Sequence, residues 1–158
     1  MKKRVLMSLV LLAMVVASAV SAQQATMDKL SFTGVEMSDD YVALPANNSI
    51  RGEVVIPAAY NGKRVFAVMN FMDCRNITGV TIPASVTDIY ARAFRNCTNL
   101  TSVTFQGTAA GMYASGADAS FPGDLAAKYK AGGAGTYTRS AGGTVWTKQG
   151  AAATGRSR

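Results

Sequence analysis

A repeat with a spacing of 23 residues constrains the fold of this chain more than any other feature. Residues 71–82 align with residues 94–105, and six of the twelve positions are identical. The identical residues are a Phe, a Cys, an Asn, a Val and two Thr. A chain with such a repeat forms one coil per copy and buries its apolar residues against the neighbouring coils. The repeat therefore predicts stacked coils with a shared interior.

Both copies place apolar residues at the same three positions of a short strand, over residues 77–82 and 100–105. Side chains alternate between the two faces of a strand. The apolar positions therefore point inward, and the Thr between the last two points outward. We expect Thr81 and Thr104 to face solvent on neighbouring parallel strands.

A third, partial copy precedes these two. Residues 54–58 match residues 80–84 at four of five positions, with a longer spacing of 26 residues. The longer spacing indicates an inserted loop, and Asn61 and Gly62 suit its turn because both residues tolerate positive φ. Repeat arrays need about three units for stability, so we expect caps at both ends to contribute much of the stability.

The repeat resembles a known family. Residues 80–89 read Val-Thr-Ile-Pro-Ala-Ser-Val-Thr-Asp-Ile, and residues 93–100 read Ala-Phe-Arg-Asn-Cys-Thr-Asn-Leu. These runs are similar to the BspA-type leucine-rich repeat family of exported bacterial proteins. The segments after Phe105 resemble the C-terminal unit of its spirochaete members, and the stretch before Phe71 is about two residues short of the family pattern. The resemblance implies binding of other proteins or of cells through the exposed face of the repeat.

We predict a mainly β fold, a short leucine-rich-repeat solenoid of stacked parallel strands with irregular N- and C-terminal caps. Within the C-terminal cap, residues 124–130 suit a short helix with Leu125 and Tyr129 on one side. The predicted segments are a signal peptide (1–22), an N-terminal cap (23–53), the repeats (54–108), a C-terminal cap (109–149) and a disordered tail (150–158).

The first residues predict export. Three basic residues precede an apolar stretch that ends at Val20, and small residues then lead to Ala22. This order is typical of a secretory signal peptide cleaved after Ala22, with a second suitable position after Ala19. The alternative is an uncleaved membrane anchor, because the apolar stretch is close to the length that spans a bilayer. Cleavage would lower the net charge from +7 to +4 and leave a secreted or surface protein without a membrane span.

The composition argues against an enzyme. The chain contains no His, which excludes Ser-His and Cys-His nucleophile pairs and histidine metal sites. Two carboxylates could serve glycoside hydrolysis if they met in space, but we interpret Asp73 and Asp88 as solvated turn residues. The sequence contains no basic patch interleaved with aromatic residues, so nothing in it indicates nucleic-acid binding. We expect no catalytic residue, no metal and no cofactor.

Cys74 and Cys97 are the only cysteines. Export favours a disulfide, which would stabilise a loop of this length by about 3 kcal/mol. The repeat geometry favours two buried thiols, because equivalent positions on stacked coils lie about 4.8 Å apart whereas bridged Cβ atoms prefer roughly 3.5 to 4.5 Å. We favour the thiols.

The candidate binding residues form an exposed hydroxyl ladder, although β-branched Thr is also common at exposed strand positions. They are Thr78, Thr81, Thr101 and Thr104. Tyr137 and Trp146 lie on a predicted hairpin whose aromatic rings either contact a sugar or plug the end of the solenoid.

The predicted function is an exported interaction or adhesion module that binds a protein or cell-surface ligand. The alternative is a structural envelope protein held by the basic segment 121–158, which carries six basic residues and one acid. A third hypothesis is a carbohydrate-binding module that uses Tyr137 and Trp146.

Overall fold

The computed structural model describes residues 27–36, 38–109, 111–113 and 116–150. Within them the chain forms three coils, and each coil contributes one strand to each of two sheets. The predicted signal peptide (1–22) lies outside the described residues, as does the predicted tail from residue 151 onward.

Sheet A has six strands, in the order β1-β2-β5-β7-β9 with β4 paired to β5. From β2 to β9 the neighbours on this path are parallel, whereas β1 and β4 are antiparallel to their partners. The strands are β1 (Leu30–Gly34), β2 (Tyr41–Pro45), β4 (Ala59–Tyr60), β5 (Lys63–Val68), β7 (Asp88–Ile89) and β9 (Gly111–Met112).

Sheet B has five strands in the order β11-β10-β8-β6-β3. The three strands of the coils are parallel, and the last two strands add antiparallel. They are β3 (Arg51–Val55), β6 (Asn76–Ile82), β8 (Ser102–Phe105), β10 (Gly135–Thr138) and β11 (Thr147–Lys148). A 3₁₀ helix, η1 (Gly116–Asp118), and one α-helix, α1 (Leu125–Gly132), complete the described elements.

The core lies between the two sheets and follows the predicted alternation. Val80 pairs with Val103, Ile82 pairs with Phe105, and all four side chains are buried. A column of stacked phenylalanines runs through the coils beside them. The ring of Phe94 lies 5.0 Å from that of Phe71 and 4.7 Å from that of Phe121, with interplanar angles of 20° and 6°.

The shortened stretch before Phe71 is accommodated without disturbing this column. Val68 pairs with Ile89, and two residues separate Val68 from Phe71 whereas four separate Ile89 from Phe94. The difference of two residues is the one predicted from the repeat. Both chain paths return to the same stacking position, because the phenylalanine rings fill the space between the coils.

The inserted loop is a β-hairpin formed by β4 and β5. Asn61 and Gly62 connect the strands and have φ angles of 50° and 75°. Two consecutive positive φ angles match the right-handed twist of the flanking strands, which explains the Asn-Gly pair.

The N-terminal cap, predicted as irregular over residues 23–53, is built from strands in its described part. β1 and β2 form an antiparallel hairpin, and β2 continues sheet A next to β5. The first strand of sheet B begins at Arg51, which pairs with Asn76. The solenoid therefore starts before residue 54. The repeat motif did not indicate this because β1 and β2 carry none of its residues.

The repeats also extend beyond the predicted end at residue 108. Gly111 pairs with Asp88 at the repeat spacing of 23 residues, and Phe121 continues the phenylalanine column. The helix α1 then buries Leu125 and Tyr129 against the last coil, as predicted.

Candidate functional site

The predicted hydroxyl ladder lies on the outer face of sheet B. Thr81 pairs with Thr104, and β10 adds Thr136 opposite Thr104. The hydroxyl oxygens of Thr104 and Thr136 are 2.8 Å apart, so the row continues across the antiparallel strand. All three residues are half-buried. We call this row of Thr81, Thr104 and Thr136 the threonine face.

Thr78 lies in β6 and Thr101 lies immediately before β8, and the two have a different role. The backbone N–H and the hydroxyl of Thr101 both donate to the carbonyl oxygen of Thr78, at 2.9 and 3.2 Å. These contacts tie the two coils together. The structure thus separates the four predicted residues into an outer row and a coil-to-coil contact.

The strand β3 extends the threonine face with residues of other chemistry. Val55 pairs with Thr81 and is 44% exposed, and Glu53 pairs with Gly79. The Glu53 carboxylate occupies the space that a Cβ atom on Gly79 would need. The match between residues 54–58 and 80–84 already indicated the position of Val55, whereas the Glu53–Gly79 contact depends on a register shift between Gly52 and Glu53.

Tyr137 and Trp146 are buried, so the hypothesis that they form a surface sugar platform is not supported. Their side chains are 0% and 1% exposed. The indole Nε1–H of Trp146 donates to the carbonyl of Pro122 at 2.8 Å, and the Tyr137 hydroxyl donates to that of Gly133 at 2.7 Å. Both rings pack into the end of the solenoid, because the last coil would otherwise expose its apolar side chains.

Cys74 and Cys97 are unbridged and completely buried. The Cys97 thiol donates to the carbonyl of Phe71, with Sγ 3.1 Å from the oxygen. Burial raises the pKa of Cys97 to about 12 and that of Cys74 to about 11, and nearby negative charge adds to both shifts. The thiols therefore stay neutral at ordinary pH and act as small apolar side chains.

The basic C-terminal segment is partly used inside the cap. Arg139 donates to the carbonyls of Leu100 and Cys97, at 2.7 and 2.9 Å. The ammonium group of Lys148 donates to the carbonyl of Gly132 at 2.5 Å. Both cationic side chains bind backbone carbonyls of the chain itself. Fewer of the basic residues of segment 121–158 are therefore free to bind an anionic envelope polymer.

Two clefts on the described surface were not predicted. The larger, about 660 Å³, lies beside the C-terminal cap and includes Arg95, Asp124 and Val145. The smaller, about 320 Å³, lies at the ends of β7 and β9 and includes Asp88, Tyr90 and Tyr113. The two tyrosines are separated by the repeat spacing of 23 residues, a signal that the sequence did contain.

Neither a membrane-spanning helix nor a metal cluster is found in the described residues. No helix among them is both long and apolar enough to cross a bilayer. No group of three or more Cys, Asp or Glu side chains there is arranged to hold a metal ion. Asp73 lies in a turn, as predicted, and accepts a hydrogen bond from Asn96 at 3.0 Å, whereas Asp88, also predicted in a turn, lies in strand β7 of sheet A.

The comparison with protein families agrees with the repeat. A family model described as a BspA-type leucine-rich repeat region of six copies matches residues 66–115. Among curated proteins, none matches the chain. The crystal structure of a T. pallidum leucine-rich repeat protein is similar at 24% sequence identity and a TM-score of 0.43, over 51% of this chain and 37% of that one. The match therefore spans little more than a third of the T. pallidum protein.

Proposed function

Residues 66–115 match the model of the BspA-type leucine-rich repeat family, and on that premise we propose that the chain is a member of this family and an exported module that binds a protein partner at the cell surface. Leucine-rich repeats serve in general as protein-interaction scaffolds. Their stacked strands form an extended regular face, which is the kind of surface that repeat proteins offer to ligands. The partner docks on the outer face of sheet B.

The observation that carries this proposal is the continuity of the threonine face. Its hydroxyl row crosses from the repeats into the C-terminal cap through the contact between Thr104 and Thr136. Exposed Val55 ends the row on the opposite side. The face therefore combines hydroxyl groups that form hydrogen bonds with an apolar contact at its edge. This composition suits a polar and partly hydrated protein interface.

Two lysines introduced on the threonine face test the binding surface. The double variant Thr81→Lys/Thr104→Lys places two long charged side chains where the partner would approach, and we expect binding to intact cells to fall at least about tenfold. The matched control is Thr33→Lys, an exposed Thr on β1 of the other sheet. Binding is measured with the labelled mature protein by flow cytometry. Equal loss in the control, or full binding by the double variant, would reject sheet B as the binding face.

Cell fractionation tests export separately. The producing cells are treated with protease while intact, and the N-terminus of the mature chain is sequenced. We expect a chain that begins at Gln23 and is digested from outside. A chain that keeps residues 1–22, or one that is protected from the protease, would contradict a released or surface-exposed module.

A further inference from the structure

The smaller cleft combines two exposed aromatic rings with one carboxylate on the outer face of sheet A. Tyr90 and Tyr113 are 44% and 52% exposed, so a large part of each side chain is accessible to a ligand. The cleft of about 320 Å³ is lined by six residues: Asp88, Ile89, Tyr90, Gly111, Met112 and Tyr113. This volume is at the small end of ligand sites, so the cleft suits a single side chain.

The backbone holds both tyrosines in fixed positions. The Tyr90 N–H donates to the carbonyl of Val68 at 3.0 Å, which ties it to the preceding coil. The Tyr113 N–H donates to the hydroxyl oxygen of Ser120, also at 3.0 Å. Ser120 is completely buried and donates in turn to the carbonyl of Ile89. These hydrogen bonds therefore anchor the backbone of both tyrosines, although neither ring fills the core.

The Asp88 carboxylate is held by its neighbours, and it forms no ion pair with any described residue. The Thr87 hydroxyl donates to its Oδ2 atom at 2.7 Å. Its Oδ1 atom lies where a Cβ atom on Gly111 would stand, so the missing side chain of Gly111 leaves room for the carboxylate in this position. Five ion pairs occur among the described residues, and none of them includes Asp88.

We propose that this cleft binds the guanidinium group of an arginine side chain on a protein partner. A guanidinium group is planar, stacks on aromatic faces and donates to a carboxylate through a rigid fork. A lysine ammonium group lacks the plane and the fork. The lining of the cleft contains both groups that a guanidinium binds, the two tyrosine rings and the carboxylate of Asp88.

This site extends the proposed function to the second sheet, and it rests on that function only in taking the ligand to be a protein side chain. A partner that holds the threonine face and also places an arginine in the cleft would contact both sheets of the solenoid. The cleft can be probed without any partner, so a failure here is distinguishable from a failure of the threonine face.

The probe is N-acetyl-arginine amide, whose blocked ends imitate an arginine within a peptide. It is titrated into the mature protein, and the ring resonances of Tyr90 and Tyr113 are followed by NMR. We expect saturable shifts of both rings with a Kd on the order of 10 mM, the strength of one exposed ion pair and two exposed cation–π contacts. N-acetyl-citrulline amide, the neutral analogue, is the ligand control and is expected to produce no saturable shift.

Two variants and one control locate the site. Asp88→Asn keeps the acceptor for Thr87 and removes the charge, and Tyr113→Ala removes an exposed ring. We expect each to weaken binding by about fivefold. Asp73→Asn removes a carboxylate elsewhere on the coils and is expected to bind like the native chain. Equal binding of the citrulline analogue, or unchanged binding by Asp88→Asn in a folded variant, would overturn the proposal.

Discussion

Arg139 shows how one side chain closes the end of the repeat array. The last coil leaves backbone carbonyls without a following coil to bind them, and Arg139 donates to those of Cys97 and Leu100 as well as to the carbonyl of Gly143 in the cap itself. Its guanidinium also lies over the ring of Trp146, 4.9 Å from the ring centre. Burial lowers the pKa of Arg139, but a guanidinium keeps its charge at any ordinary pH.

Replacing Arg139 with Met is expected to lower the free energy of unfolding by about 2–4 kcal/mol, because several partly buried carbonyls lose charged donors. Arg139→Lys should recover only part of the loss, since an ammonium group lacks the fork. Urea unfolding followed by circular dichroism measures the change. Lys130→Met, at an exposed position of α1, is the control. A loss no larger than that of the control would mean that Arg139 is not the clamp.

Because the two thiols are buried, we expect the free energy of unfolding to fall at alkaline pH. Unfolded thiols ionise near pH 8.5, whereas burial raises the pKa of Cys74 to about 11 and of Cys97 to about 12. A raised folded pKa means that the stabilisation is complete below pH 8.5 and is lost as pH rises toward the folded values. Each thiol contributes a slope of up to about 1.4 kcal/mol per pH unit in this range.

The measurement compares urea unfolding of the native chain and of the Cys74→Ala/Cys97→Ala variant between pH 8 and pH 10. The variant is expected to be less stable than the native chain at every pH. The difference between their free energies of unfolding should shrink as pH rises. This subtraction removes the titration of Lys and Tyr residues common to both. A constant difference across the range would contradict the raised pKa values.

A corner of the chain recurs along with the strands. Each corner begins with a phenylalanine of the buried column, and the residue two positions later has a positive φ angle. These residues are Asp73, Asn96 and Gly123, with φ angles of 63°, 61° and 73°. Asp, Asn and Gly are the residues that adopt this conformation at least cost. Residues 121–123 are therefore a third copy of the corner, although Pro122 and the absence of a Cys disguise it in the sequence.

Gly123→Ala tests this corner, with Gly52→Ala as a matched control. Both glycines have a φ angle of 73°, but a Cβ atom at position 123 would collide with the carbonyl oxygen of Thr144 whereas nothing lies within 4 Å at position 52. The control should cost about 1–2 kcal/mol for the backbone conformation alone. We expect Gly123→Ala to cost at least about 1 kcal/mol more, measured by thermal unfolding. Equal costs would show that the contact with Thr144 yields freely.

The molecule as a whole depends on closing both ends of a short array. At the N-terminal end of sheet B, the Lys29 ammonium donates to the carbonyl of Glu53 at 2.8 Å and covers part of the open edge. At the C-terminal end, Phe105 contacts the rings of Phe121, Tyr129 and Tyr137. Three coils bury their interior only because these caps replace the missing neighbours.

Removal of residues 121–158 should therefore abolish folding. The deletion takes away four large buried side chains, and the loss of even one such side chain costs about 3–5 kcal/mol, against a total stability of about 5–15 kcal/mol for a domain. Those side chains are Phe121, Tyr129, Tyr137 and Trp146. A chain that ends at Gly150 keeps every contact described and serves as the control. Circular dichroism and gel filtration distinguish the two, and a folded, monomeric deletion variant would refute the role of the cap.

The sequence by itself determined the coils, the inward and outward positions of sheet B and the outward-facing row that begins with Thr81 and Thr104. These features follow from alternation and repeat spacing, which are local properties of the chain. The helix α1 was predictable for the same reason, because Leu125 and Tyr129 are four residues apart.

Only the tertiary structure decided which distant residues meet. The parallel pairs of sheet A, the clamp of Arg139 and the cleft between Tyr90 and Tyr113 depend on contacts between distant residues, from 21 positions apart for Ala67 and Asp88 to 42 for Cys97 and Arg139. Whether Trp146 faced solvent or filled the core likewise depended on how the last coil is covered. Burial is a property of the stacked coils together, and no single segment of the sequence carries it.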